Sequence, residues 1–78
     1  MIAIHFRTPN SLELSISAGK YVRHFAAFKR ERRWIIEEHR GHYVEILGEA
    51  RLVAMFGFFR GIEQNLLTFQ KSEFMDGL

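Results

Sequence analysis

Apolar and polar residues alternate through the first sixteen positions. Ile2, Ile4 and Phe6 are spaced by Ala3 and His5, and beyond Thr8-Pro9-Asn10 the chain alternates again through Leu12, Leu14 and Ile16. A period of two places each set on one face of a strand. Pro9 presets the first corner of a type I turn, and Asn10 tolerates the left-handed conformation that follows it. A loop closed by Arg7 and Ser11 then pairs Phe6 with Leu12, Ile4 with Leu14 and Ile2 with Ile16. The same register sets His5 opposite Glu13 on the other face.

The period changes after Ser17, which can serve as an N-cap. Tyr21, Val22, Phe25, Ala26 and Phe28 recur at helical spacing, predicting a helix over 18–30 that stops at Glu31 to Arg33. Strand alternation over Tyr21 to Phe28 is the competing reading. A second hairpin is expected in RRWIIEEHRGHYVEIL, with Gly41 in the left-handed slot of a His39-Arg40-Gly41 loop. That loop sets Glu38 against His42, Ile36 against Val44 and Trp34 against Ile46.

Gly48 ends the strand pattern, and residues 49–66 read as a helix with two apolar faces. Leu52, Met55, Phe59, Ile62 and Leu66 form a broad stripe, and beside it lie Ala50, Ala54, Gly57 and Gly61. Each glycine inside a helix costs about 1 kcal/mol relative to alanine, so two of them one turn apart point to close approach of a neighbour. Ala26 and Ala27 of the first helix could supply it; so could a second copy of the chain, with Phe58 beside the small residues. The expected order is β-β-α-β-β-α: a single α+β domain over 1–67, its antiparallel sheet covered on one face by both helices. Residues 68–78 follow as an edge strand or a tail.

Composition narrows the function classes. The 78 residues contain no cysteine, so neither disulfides nor thiolate metal sites are available. Hydrophobic residues make up 47%, eight of them phenylalanine, a rich supply for so short a chain and a reason to expect self-association. No secretory signal or membrane-spanning stretch is legible, and a cytoplasmic, non-membrane protein is expected.

The net charge of +2 is unevenly spread. Lys20, Arg23, Lys29, Arg30, Arg32, Arg33 and Arg40 fall within residues 20–40 against three acids, whereas residues 41–78 are net acidic. No serine sits in a glycine-framed nucleophile turn, and no phosphate-cradling glycine loop occurs. Glu37, Glu38, His39 and His42 could gather a divalent cation or serve acid–base chemistry, but the expected register leaves them at a solvated hairpin tip. No cofactor is implied. The expectation is a non-enzymatic regulator or inhibitor that docks on a protein partner through Arg23, Lys29, Arg30, Arg32, Arg33 and Arg40. Self-association along Ala50, Ala54, Gly57, Phe58 and Gly61 would make it a homodimer. The alternative is a nucleic-acid-binding regulator that uses the same cations on phosphates.

Overall fold

In the computed structural model, which describes the backbone of residues 1–76 and the side chains of residues 1–71, five strands precede one helix. They are β1 (Ile2–Arg7), β2 (Ser11–Ala18), β3 (Tyr21–Arg30), β4 (Arg33–Arg40), β5 (Tyr43–Ala50) and α1 (Leu52–Asp76). The strands form one antiparallel meander in chain order, and α1 crosses a single face of it. The expected β-β-α-β-β-α order with two helices is therefore corrected to five strands and one helix.

The difference lies in residues 21–30, which form the central strand and not a helix. Their apolar residues satisfy both periods because apolar side chains stand on both faces of β3, buried under α1 on one and exposed at Val22 and Phe28 on the other. Tyr21, Phe25 and Ala27 lie towards α1, while Val22, Ala26 and Phe28 lie on the uncovered face. β-branched and aromatic residues suit that position. Gly19 decides the geometry: it adopts φ +60°, closing β2 onto β3, and a Cβ there would lie 2.0 Å from the Gln70 amide nitrogen of α1.

The first hairpin keeps Ile2 opposite Ile16 and Ile4 opposite Leu14, but a bulge at His5 shifts the rest. Arg7, not Phe6, then opposes Leu12, and Phe6 turns to the uncovered face opposite Glu13. His5 bonds the Ser15 hydroxyl at 2.7 Å instead of meeting Glu13. The hairpin of β4 and β5 also has another register. Its loop is Gly41-His42, with Gly41 at φ +57° in the first slot, so Glu38 faces Glu45; a second register shift between Ile36 and Glu37 then sets Ile36 against Gly48 and Trp34 against Ala50.

Between α1 and the sheet lies the core of Leu12, Leu14, Ile16, Phe25, Ala27, Trp34, Ile36, Met55, Phe59 and Ile62. Ile16, Met55 and Phe59 are fully buried, each side chain stabilising the fold by about 1.5–3 kcal/mol. Phe59 meets Phe25 edge-to-face at 5.4 Å. The broad stripe of α1 thus faces the sheet at Met55, Phe59 and Ile62. The helix also runs through residues 68–76, for which an edge strand or tail was expected; residues 77 and 78 lie outside the described residues. Among the described residues no helix is long and apolar enough to cross a membrane.

Candidate functional site

An antiparallel meander sends alternate turns to opposite ends. The β1–β2 turn, the β3–β4 turn and the start of α1 therefore share one end of the sheet. Arg7, Lys29, Arg30, Arg32, Arg33 and Arg51 all sit there, against the acids Glu31 and Glu49. The two turns are joined directly, since the Lys29 backbone N–H donates to the Asn10 carbonyl at 2.7 Å. Arg33 lies 3.7 Å from Glu49, with both side chains exposed, a pair that contributes little in water. Among the described residues, Arg7, Lys29, Arg30, Arg32 and Arg51 hold no ion pair.

The β3–β4 turn carries strain. Glu31 stands at φ +59°, and no other described non-glycine residue has a positive φ. An L-residue there costs about 1–2 kcal/mol, and such outliers concentrate at functional sites. The turn presents Arg30, Arg32 and Arg33 around an open hollow of about 660 Å³ floored by Ile35.

On the α1 side of this end lies a second hollow of about 410 Å³. Leu12, Trp34, Leu52, Met55, Phe56 and Pro9 line it, with Arg7 at its edge. The β1–β2 loop that forms one wall is internally bonded. Thr8 Oγ1 accepts from the backbone N–H of Ser11 at 2.9 Å and meets the Ser11 hydroxyl at 2.7 Å.

Arg23 and Arg40 belong elsewhere. Both lie towards the opposite end of the sheet, where they converge on Glu38, a side chain only 4% exposed. Arg23 donates to Glu38 through Nε and Nη2, each at 2.6 Å, and Arg40 Nη2 donates at 2.7 Å. The Arg23 hydrogen bonds hold the Glu38 carboxyl below its ordinary range against the opposing effect of burial, with Arg40 adding to them. Both guanidinium groups are correspondingly held above theirs by Glu38. These two arginines are engaged in packing the far corner of the sheet, away from the basic end.

The expected self-association residues also separate. Ala50 ends β5 and packs against the core opposite Trp34, off the helix. Ala54, Gly57 and Gly61 are exposed on α1, and nothing lies within 4 Å of a Cβ built at either glycine. Phe58 is 41% exposed beside them. With residues 21–30 in the sheet, Ala26 and Ala27 are not available to pack on this line.

The carboxylate and histidine group does not assemble. Glu37 and Glu38 alternate to opposite faces of β4, His42 lies in the exposed β4–β5 loop, and His39 reaches Glu37 at 3.4 Å. His5, Ser15, His24 and His39 instead form a row across the uncovered face, because Ser15 opposes His24 and His24 opposes His39. Among the described residues no three His, Asp or Glu side chains are grouped to hold a metal ion.

No family model, curated protein or solved structure matches this chain.

Reasoning from sequence missed Arg7 and Arg51. The signal was present, since Arg7 abuts the Thr8-Pro9-Asn10 turn. It becomes readable only when residues 21–30 form a strand, which brings the β1–β2 and β3–β4 turns to the same end.

Proposed function

We propose that this protein is a non-enzymatic binding module that docks on an acidic protein surface through the basic end of its sheet. The observation that carries this reading is the convergence of Arg7, Lys29, Arg30, Arg32, Arg33 and Arg51 on one end with two acids among them. Cations held this way steer an acidic partner and set its orientation. A protein surface is favoured over a nucleic acid because Trp34, the one tryptophan, is 9% exposed at the base of a hollow and not on an open face where successive bases could stack. Self-association is proposed along the exposed Ala54, Gly57, Phe58 and Gly61 line, where nothing among the described residues lies within 4 Å of a Cβ at either glycine.

The test is fluorescence anisotropy with labelled poly-glutamate and a labelled DNA duplex, at about 50 mM and about 200 mM salt. Poly-glutamate is expected to bind the wild-type chain and to be lost from the Arg30→Glu, Arg32→Glu, Arg33→Glu triple variant. Equal binding by that variant would remove the patch from the function. Duplex binding tighter than poly-glutamate, falling steeply with salt, would put phosphate recognition by the same residues in its place.

A further inference from the structure

We infer that the hollow between the β1–β2 loop and the start of α1 receives one large apolar side chain from an acidic segment of the partner. The inference rests on the docking reading above and adds the chemistry of the segment recognised. Three observations carry it.

The first is the shape and lining of the hollow. Its volume of about 410 Å³ falls within the range of about 300–1,000 Å³ typical of ligand pockets. Leu52 and Phe56, 44% and 38% exposed, present carbon on the α1 side and Pro9 on the loop side, and behind them lie the buried core residues Leu12, Trp34 and Met55. The hollow is therefore an open extension of the core.

The second is its rigidity. Met55 is fully buried on α1, and Trp34 sits within the sheet opposite Lys29 and Ala50. The remaining wall is the Thr8-Pro9 loop, tied by the Thr8 backbone N–H donating to the Ser11 carbonyl at 2.8 Å and by the Thr8 hydroxyl bonds. Proline leaves that loop few alternative conformations. A preformed hole spares a ligand the cost of ordering its site.

The third is charge. Arg7 lines the hollow, Arg51 immediately precedes Leu52 of its wall, and Lys29 stands opposite Trp34. None of the three is ion-paired within the described residues. An apolar anchor surrounded by a charged rim is the usual anatomy of a protein-recognition hot spot. Here the rim is cationic, so the residues flanking the anchor are aspartate or glutamate.

The experiment uses the full chain and short peptides of aspartate and glutamate with one central phenylalanine or, in the control, alanine. Emission from Trp34, the sole tryptophan, reports entry into the hollow, and anisotropy of a label on the peptide reports binding. The phenylalanine peptide is expected to bind about tenfold tighter than the alanine peptide and to shift Trp34 emission, as burial of one aromatic side chain implies. Phe56→Ala, at a position 38% exposed on α1, is expected to erase that preference, so that the two peptides bind the variant alike.

Equal affinity of the two peptides, with both lost in the Arg30, Arg32, Arg33 triple variant, would overturn the anchor while leaving the docking reading standing. A phenylalanine preference that survives the triple variant but not Phe56→Ala would uphold the hollow and overturn the basic patch. A neutral peptide with phenylalanine binding as tightly as the acidic one would overturn the assigned ligand class. Trp34 emission that changes with protein concentration, without peptide binding, would assign the hollow to a second copy and overturn the proposal.

Discussion

Arg23 and Glu38 face each other across β3 and β4 as a two-pronged pair, Nε to Oε2 and Nη2 to Oε1, both at 2.6 Å. Glu38 lies opposite Phe25 in the register, so Arg23 reaches it diagonally while its guanidinium lies 5.3 Å from the Phe25 ring centroid. Phe25 in turn meets Phe59 of α1. The pair thus lies where the apolar layer under the helix gives way to a polar corner. Planar bidentate geometry is the strong form of such a contact, and it engages an arginine that sequence alone assigned to partner binding.

Acid should test this pair first. The Glu38 carboxyl is depressed in the folded chain below its ordinary value of 4.5. Its contribution is therefore fully present above that value and is lost as pH falls through the lower folded value. Glu38→Gln should reduce stability at neutral pH and flatten the loss as pH falls from neutral through and below 4.5. Urea midpoints measured across that range in both proteins check it; parallel curves would mean that Glu38 does not set the acid limb.

Among the described residues Phe59 is the deepest aromatic side chain of α1, and it meets Phe25 edge-to-face. Phe59→Ala should cost about 3–5 kcal/mol. A chain of this length has about 4–12 kcal/mol in total, so the variant should lose most of its cooperative melting. Calorimetry decides the matter, and a sharp transition within a few degrees of wild type would contradict the packing described.

Glu31 offers a prediction in the stabilising direction. Glycine at this position relieves the left-handed strain but adds freedom to the unfolded chain. Glu31→Gly should therefore raise stability by about 0.5–1 kcal/mol, a gain of about 4 °C in Tm. It also removes an acid from the basic end, so poly-glutamate should bind at least as tightly. A fall in Tm would show that the Glu31 side chain contributes more than its backbone costs.

Self-association is tested by the space around Gly57 and Gly61. Because nothing lies within 4 Å of a Cβ at either position, the Gly57→Leu, Gly61→Leu double variant should fold as the wild type does. If two copies meet along this line, its mass in solution should fall to that of a monomer. Sedimentation of both proteins at matched concentration gives the answer, and an unchanged mass would remove this face of α1 from any assembly.

Much of the architecture is legible in residue order. The alternation at Leu12, Leu14 and Ile16, the Thr8-Pro9-Asn10 turn, the Gly41 turn and the Met55-Phe59-Ile62 stripe all follow from local periodicity and turn chemistry, which need no knowledge of distant residues. Trp34 likewise faces the core as its alternation indicates. The cationic residues of the β3–β4 turn were visible as a cluster because they are adjacent in sequence.

Tertiary structure decided the rest. Residues 21–30 pair with β2 and β4 along both edges and meet α1 on one face only, leaving Val22 and Phe28 exposed on the other; a single segment cannot display which partners its edges will find. The bulge at His5 and the short Gly41-His42 loop each shifted a register, moving Phe6 outward and Glu38 against Glu45. Pairing also withdrew Arg23 and Arg40 into contact with Glu38, and the meander brought Arg7 and Arg51 to the end that holds Arg30, Arg32 and Arg33. Local sequence determined which residues alternate and where the chain turns. Long-range pairing determined which cations share a surface, because strand register depends on partners distant in the sequence.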